Sequence, residues 1–320
     1  MTRKEMTRRA LLQGSAALGF MTSLPFSFAG AASYGEGTGQ TAGPAQDAAK
    51  HLAGPNPLTP PATGAIPVAF PISDGAVVID FCGPYEVLRG VTGLDGNSAF
   101  QLYLVADKIA PIKCSGEMLV MPNYTLENAP APKVIVIPAQ NGASEAMIRW
   151  IRASTKATDV TMSVCTGAFV LAQTGLLSGK AATTHHYAYA DLALQYPNIQ
   201  VMRGYRFVEE GKIATAGGLT SGMDLALRLV ERYYRREKAL DTADNLEYQG
   251  KGWMDSSGAA NQIYAKAPTG TVCVICGMPV DPKTALNSAY QGHVYYFCSH
   301  GHKDTFHAAP EKAIQMAASQ

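Results

Sequence analysis

The sequence predicts an α/β fold in which helices cover both faces of a mostly parallel β-sheet. Strand-like and helix-like segments alternate over roughly 170 residues, which is the pattern typical of such folds. Hydrophobic residues make up 47% of the 320 residues, so the chain can bury a large core. Candidate functional residues follow strand-like runs, and in parallel sheets functional groups gather at the carboxyl ends of the strands.

The individual elements follow from local patterns. Short apolar runs rich in Val and Ile predict strands, and a 3.6-residue period of apolar side chains predicts helices. Pro84 suits the start of a helix, Gly167 allows a tight turn before one, and Gly179 closes one. The predicted strands cover residues 66–72, 76–80, 101–106, 134–138, 160–164 and 212–216, and the predicted helices cover residues 84–89, 143–153 and 168–177.

The first 31 residues have the features of an export signal. Arg8 and Arg9 precede an apolar, nearly uncharged stretch, and residues 29–31 form a small-x-small cleavage motif. We therefore predict a twin-arginine signal peptide over residues 1–31, with an uncleaved membrane anchor as the alternative. The twin-arginine export machinery would be a partner and the protein would be periplasmic. Residues 32–65 are rich in Gly, Ala, Pro and Thr, which predicts a flexible linker.

The charge balance argues against nucleic acid as a partner. The net charge is +1 and 16% of the residues are charged, so the chain has no polyelectrolyte character. One basic run lies on a helical pattern together with acidic residues, and we expect it to form a solvated helix face. This run comprises Arg228, Arg232, Arg235, Arg236 and Lys238.

Cys165 is the candidate nucleophile. It lies between a strand-like run and a helix-like run, an arrangement that can hold a side chain exposed at a sharp turn. The N-terminus of the following helix would lower the pKa of the thiol and favour the reactive thiolate. The alternative is a small, buried core cysteine.

Six ordered motifs carry a resemblance to a known superfamily. They are VIDFCGPYEV at 78–87, IVIP at 135–138, SVCTGA at 163–168, ATTHH at 182–186, TAGGLTSGMD at 215–224 and LEY at 246–248. Residues 66–248 resemble the ThiJ/PfpI superfamily, the class I glutamine amidotransferase-like fold, and within it the isonitrile hydratase-like branch. The resemblance implies a flavodoxin-like three-layer sandwich with no cofactor in this domain.

The resemblance also implies a chemistry and three catalytic residues. Carried over from that branch, Cys165 would be the nucleophile, Asp80 the acid, and Thr166 a hydrogen-bonding partner of the thiol. The small-molecule substrate would be an isocyanide, whose terminal carbon is attacked by sulfur and protonated by the carboxyl group before water releases an N-substituted formamide. A carboxyl group near a thiolate in a poorly hydrated pocket would have a raised pKa. The alternative for Asp80 is an N-cap or turn residue.

Some positions depart from the family pattern or leave two interpretations open. Many relatives have a Gly-Gly pair whose amide helps form an oxyanion site, where this chain has Ala139 and a glutamine. Cys82 stands where Thr is usual, and it is either a core residue or a disulfide partner of Cys114 or of the nucleophile in an oxidising compartment. His185 and His186 are either a base, as in hydrolase-like relatives, or a structural pair.

A second unit follows a polar, turn-rich linker predicted over residues 249–270. Residues 271–316 resemble the YHS domain, which is related to the TRASH metal-binding modules. Three thiolates and one imidazole suit tetrahedral zinc or copper(I), and a histidine where relatives usually carry cysteine favours zinc. The alternatives are a disulfide or a site without metal. The predicted ligands, in C-x2-C and C-x3-H spacing, are Cys273, Cys276, Cys298 and His302.

Two functions from different classes remain open at this point. The chain is either an exported cysteine-dependent hydratase with an accessory metal module, or a non-catalytic ligand-binding or protective module in periplasmic heavy-metal handling. The presence of both Asp80 and Cys165 favours the enzyme. Dimers are frequent among relatives, so a homodimer is one option.

Overall fold

The structure is a computed structural model that describes residues 56–254, 271–277 and 279–318. The predicted signal peptide over residues 1–31 lies outside the described residues, as do residues 32–55 and 255–270 of the two predicted linkers. Within the described ranges, no helix combines the length and the apolar character needed to cross a membrane. We call residues 56–254 the main domain and residues 271–318 the C-terminal module.

A seven-stranded sheet forms the centre of the main domain. Neighbouring strands in it are parallel, apart from the two strands at one edge, which are the last two of the sheet in chain order and are antiparallel to each other. The prediction of a mostly parallel sheet is therefore confirmed. The strands are β1 (Ile66–Pro71), β2 (Phe100–Ala106), β5 (Tyr124–Thr125), β6 (Val134–Ile137), β7 (Val160–Val164), β10 (Phe207–Glu210) and β11 (Ile213–Ala216), in the spatial order β10-β11-β7-β6-β1-β2-β5.

Two short strand pairs lie outside this sheet. β3 (Ile112–Lys113) and β4 (Leu119–Val120) are antiparallel, whereas β8 (Ala181–Ala182) and β9 (Gln200–Val201) are parallel.

Helices cover both faces of the sheet and complete the three layers. Helices α1 (Val78–Arg89) and α5 (Ser221–Asn245) pack on one face, and α2 (Glu145–Ser154), α3 (Gly167–Gln173) and α4 (Tyr189–Gln195) lie on the other. Side chains alternate along β6. Its two valines join the first core, which lies between the sheet and helices α1 and α5, and its two isoleucines join the second core, on the opposite face. The three-layer sandwich predicted from the resemblance is confirmed.

Three predicted elements differ from the structure. Residues 76–80 are not a strand, because α1 begins at Val78 and contains Asp80 in its first turn. The helix predicted over residues 84–89 therefore begins earlier than expected, and Pro84 lies in its interior rather than at its start. β1 is already paired on both sides, by β2 and β6, and α1 instead buries apolar side chains against α5. The helix predicted over residues 168–177 ends at Gln173, because Gly175 adopts a left-handed φ of 79° that stops it.

The prediction of a fully solvated basic helix face is wrong for two of its residues. Arg228 and Arg232 are buried on α5. Glu209 on β10 accepts hydrogen bonds from both, at 2.9 Å from Arg228 Nε and 3.0 Å from Arg232 Nη1. Buried charges require such partners, and the acidic partner lies on a strand that the helical pattern could not reveal. Arg235 and Arg236 are exposed, as predicted.

The described ends of both predicted linkers pack onto the main domain. The Leu58 N–H donates to the Arg232 carbonyl at 2.7 Å, and Arg232 Nε donates to the Asn56 carbonyl at 2.8 Å. Trp253 is fully buried in the core beside α5. Residues 56–58 and 251–254 therefore contribute to the folded domain.

The C-terminal module consists of a hairpin and two helices. Strands β12 (Leu286–Tyr290) and β13 (His293–Phe297) are antiparallel and are joined by a two-residue turn with positive φ at Gln291 and Gly292. Helices α6 (His300–Ala308) and α7 (Pro310–Ala318) follow. The core contains Phe297 and Phe306 as its large side chains and is small, as expected for a unit of this length.

Candidate active site and metal site

Cys165 occupies a strained turn between β7 and α3. Its φ is 57°, a left-handed value that is uncommon outside glycine. Two hydrogen bonds of the Cys165 backbone hold this conformation. The Cys165 N–H donates to the Gly217 carbonyl at 2.8 Å, and the Cys165 carbonyl accepts from Thr184 Oγ1 at 2.9 Å. Strain of this kind persists where the surroundings impose it, and it is common at functional sites.

Gly167 allows the helix after Cys165 to approach the sheet closely. A Cβ atom at Gly167 would overlap the carbonyl oxygens of Ile137 and Pro138 at the end of β6. The turn can therefore bring the thiol to the carboxyl edge of the two central strands β6 and β7 only with glycine at this position.

Asp80 reaches the same place from α1. Its side chain is fully buried, and Oδ2 accepts a hydrogen bond from the Ala139 N–H at 3.2 Å. Oδ1 has no hydrogen-bond partner of good geometry among the described residues. The carboxyl group also interacts with the Cys165 thiol and with the N–H of Leu219. The structure thus brings the two predicted catalytic side chains, Cys165 and Asp80, together.

Burial dominates the electrostatics of this pair. It raises the pKa of Asp80 to about 6, although hydrogen bonds from Ala139, the thiol and Leu219 oppose the shift. The pKa of Cys165 is raised to about 12, first by burial and then by the negative charge of Asp80. At neutral pH the pair therefore keeps its proton on sulfur, with the carboxyl group largely ionised.

The expectation that Cys165 has an exposed thiol with a low pKa is wrong for this structure. Cys165 is only 4% exposed. The N–H and side chain of Thr166 do interact with the sulfur and lower its pKa, as predicted for the start of a helix. Burial and the neighbouring carboxylate outweigh them, and neither could be read from the local pattern.

The backbone amide expected to form an oxyanion site has another partner. Ala139 follows the proline at the end of β6, and its N–H is the donor to Asp80 Oδ2. In this chain the amide therefore positions the carboxyl group.

His185 and His186 belong to a short segment beside the site. Their rings stack at 4.2 Å between centroids, and His185 Nδ1 accepts a hydrogen bond from the Tyr187 N–H at 3.4 Å. Burial lowers the pKa of His185 to about 4, helped by the charge of His186, so His185 is neutral at physiological pH. The ring lies directly over Gly218, where a Cβ would collide with it.

Tyr187 is a site residue that sequence reasoning missed. Burial raises the pKa of its phenol, and the charges of Cys165 and Asp80 raise it further, which puts the ring within electrostatic range of the pair. Its ring also packs on His185 at 4.1 Å. The one available signal was its position directly after the histidine pair.

Disulfides do not form in this structure. All six cysteines lie among the described residues and none is in a disulfide, including Cys82, Cys114 and the three cysteines of the C-terminal module. Cys82 lies partly buried against the first core and Cys114 lies within it.

The four predicted metal ligands converge in the C-terminal module. Their ligand atoms, Sγ of Cys273, Cys276 and Cys298 and Nδ1 of His302, all lie within 4.8 Å of one another. Cys276 and Cys298 Sγ are 3.6 Å apart, and His302 Nδ1 lies 3.4 Å from Cys273 Sγ and 3.2 Å from Cys298 Sγ. Sulfurs bound about 2.3 Å from one tetrahedral zinc ion would be roughly 3.8 Å apart, so the residues fit such an ion.

Three of the four predicted ligands are positioned by different local features. Cys273 pairs in a bridge with Tyr296 of the hairpin, Cys298 follows β13, and His302 lies in the first turn of α6, where Ser299 Oγ caps its N–H at 3.2 Å. The pKa of Cys273 is lowered to about 3, chiefly by a hydrogen bond from the Cys276 thiol. A thiolate in the cluster is the form that binds metal.

Comparison with known proteins identifies both parts of the chain. Residues 67–232 match the DJ-1/PfpI family, and residues 274–315 match the YHS domain. Isonitrile hydratase from Pseudomonas putida is 33% identical over 197 residues, which is 60% of this chain and 82% of that protein.

More distant relatives share the main domain. The HTH-type transcriptional regulator GbdR from Pseudomonas aeruginosa is 22% identical over 186 residues, and this chain spans only 50% of its length. A crystal structure of a ThiJ/PfpI family protein from Pseudomonas syringae shares the fold, with a TM-score of 0.52 and 19% identity over 82% of this chain and 95% of that chain. From these matches and the geometry of its sheet and of the turn at Cys165, the chain belongs to the DJ-1/PfpI family and carries a C-terminal YHS domain.

Proposed function

We propose that the protein is an exported, cysteine-dependent enzyme that adds water to an isocyanide and releases an N-substituted formamide. The observation that carries this proposal is the Cys165–Asp80 pair, a buried thiol at a strained turn beside a carboxyl group with a pKa of about 6. The 33% identity to isonitrile hydratase supports the substrate class.

The first step joins the substrate to sulfur. The ionised carboxylate of Asp80 accepts the proton of the Cys165 thiol as the sulfur bonds to the terminal carbon of the isocyanide. Asp80 then donates that proton to the same carbon, which gives a neutral thioimidate, R–N=CH–S–Cys165. A carboxyl pKa near 6 suits a group that both accepts and donates a proton at neutral pH.

The second step consumes water. Water adds to the thioimidate carbon, and its proton passes through Asp80 to the substrate nitrogen. The C–S bond then breaks as the hydroxyl group of the adduct gives up its proton, that proton returns to sulfur, and R–NH–CHO leaves. Hydrogen bonds from Thr166 stabilise the negative charge on sulfur while this bond forms and breaks.

Variants of single cysteines test this function. Formamide production from an alkyl isocyanide should be lost in Cys165→Ser and should stay within a few-fold of wild type in Cys82→Ser. Cys82 is a suitable control because it is also a free, partly buried thiol and belongs to the same core. Full activity of Cys165→Ser, or absence of hydration by wild type, would rule out the proposal.

Export is a separate part of the proposal. It rests on the arginine pair at Arg8 and Arg9 and the cleavage motif that follows. Replacing both arginines with lysine should leave the protein in the cytoplasmic fraction, whereas wild type should be recovered from the periplasm. Equal fractionation of the two would contradict export by the twin-arginine route.

Metal handling is the second candidate function, and the Cys273–His302 cluster favours it. Four convergent ligand atoms in a module with a small core suit a bound zinc or copper(I) ion that stabilises the fold. Cys276→Ser should lose zinc affinity by more than the roughly 10- to 100-fold typical of an outer-sphere change. Cys82→Ser again serves as the control, and wild-type affinity in Cys276→Ser would refute this function.

A further inference from the structure

The C-terminal module contacts the main domain at its predicted metal ligand. Thr305 Oγ1 on α6 donates a hydrogen bond to Asp191 Oδ1 on α4 at 3.0 Å. The other carboxylate oxygen, Asp191 Oδ2, lies 3.7 Å from His302 Nε2. Asp191 and His302 are only 23% and 8% exposed, so this contact is largely shielded from water.

The two nitrogens of His302 face different domains. Nδ1 points to the thiols of Cys273 and Cys298 and is the atom available to a metal. Nε2 is directed to the main domain, where it meets the Asp191 carboxylate and the backbone of Tyr187. In metal sites, the non-ligating N–H of a histidine is commonly held by a carboxylate or a carbonyl, which fixes the tautomer and strengthens the ligand.

We propose that Asp191 is a positioning residue for the metal site, supplied by the DJ-1/PfpI domain to a ligand of the YHS domain. This inference rests on metal binding by the cluster, as proposed above. A shift of roughly 1 Å would bring Asp191 Oδ2 into hydrogen-bonding distance of His302 Nε2. Metal binding to Nδ1 leaves the proton on Nε2 and therefore favours that contact. Metal loading and docking of the two domains are thus coupled.

The contact between Asp191 and His302 also connects the proposed metal site with the residues around Cys165. Residues 185–191, which we call the bridge segment, run from His185, whose ring contacts that of His186, to Asp191 at the C-terminal module. Tyr187 lies within electrostatic range of Cys165 and Asp80, and its backbone contacts His302. A cavity of about 500 Å³ lies at this junction and is lined by residues of both domains, including Tyr187, Asp191, Gln195, Cys298 and His302. Metal loading should restrain the bridge segment.

Zinc affinity of the full chain tests the role of Asp191. We would measure the Zn²⁺ dissociation constant by competition with a chromophoric chelator for wild type, Asp191→Asn, Asp191→Glu and Asp304→Asn. Asp304 is a matched control because it is an exposed carboxylate two residues from His302, so its replacement removes the same charge from the same region. Asp191→Asn should weaken binding roughly 10- to 100-fold, Asp191→Glu should recover part of it, and Asp304→Asn should stay within about twofold of wild type.

Hydrogen exchange provides a readout that a purely structural contact would not change. Zn²⁺ should slow exchange of the bridge segment in wild type and should do so much less in Asp191→Asn. If wild type binds no Zn²⁺, metal binding itself fails. If wild type binds Zn²⁺ but Asp191→Asn binds it as tightly as Asp304→Asn, or Zn²⁺ slows the bridge segment equally in both, the role of Asp191 is refuted and the metal site stands.

Discussion

Replacing Asp80 with asparagine should stabilise the protein at neutral pH while it strongly lowers formamide production. Burial raises the pKa of this carboxyl group from 3.8 to about 6, so the folded state holds its ionised form at a cost. Asparagine has nearly the same shape and can keep the hydrogen bond from Ala139 through its carbonyl oxygen. The substitution thus removes the charge with little change in packing.

The magnitude follows from the shift in pKa. A shift from 3.8 to about 6 corresponds to at most about 3 kcal/mol at 25 °C, because each pKa unit is worth about 1.4 kcal/mol. Asp80 binds its proton more tightly in the folded state, so its favourable contribution is complete below pH 3.8 and is lost as the pH rises through about 6. The advantage of Asp80→Asn should therefore grow by about 2 kcal/mol between about pH 4.5 and about pH 7.5.

Urea unfolding at a series of pH values measures this difference directly. The control is Asp241→Asn on α5, an exposed carboxylate whose replacement should change stability by less than about 0.5 kcal/mol. Formamide production by Asp80→Asn should fall by about 10²- to 10⁴-fold, the usual contribution of a general acid or base. Iodoacetamide should nevertheless modify Cys165 faster in this variant at alkaline pH, because the carboxylate that raises the thiol pKa is gone. A constant stability difference from pH 4.5 to pH 7.5 would refute the assignment of a raised pKa to Asp80.

Two further predictions concern the fold around the site. Gly167→Ala should destabilise the protein by about 3 kcal/mol or more, because the new Cβ would overlap the carbonyl oxygen of Ile137. Gly90→Ala is the control and should cost little, because a Cβ there would make an ordinary contact at 3.9 Å. Equal unfolding midpoints for the two variants would contradict the argument. Glu209→Gln should cost about 3–5 kcal/mol, since it removes the carboxylate that pairs with both buried arginines, although Arg228 keeps its ion pair with Glu231. The exposed pair of Glu145 gives the comparison: Glu145→Gln should change stability by less than about 0.5 kcal/mol, and a similar small change for Glu209→Gln would show that the buried network is not stabilising.

The architecture was readable from the sequence because it depends on local patterns. Five of the six strands predicted from apolar runs are strands in the structure, and the strand predicted over residues 160–164 has the same bounds as β7. The sixth failed at residues 76–80, where strand propensity was overridden by the contacts of α1 with α5. Propensity acts over a few residues, whereas the choice between strand and helix was made by a partner about 150 residues away in the chain.

The sequence by itself identified the candidate functional side chains: Cys165 at a strand–helix turn, Asp80 in its motif, and four candidate metal ligands in C-x2-C and C-x3-H spacing. Only the tertiary structure decided their state. The thiol is buried and protonated because distant parts of the chain pack around it, including Asp80, 85 residues earlier. In the same way, Asp191 reaches the candidate ligand His302 only through the docking of two domains. A pKa or an outer-sphere contact depends on which distant groups exclude water from a site, and that information is not contained in local sequence.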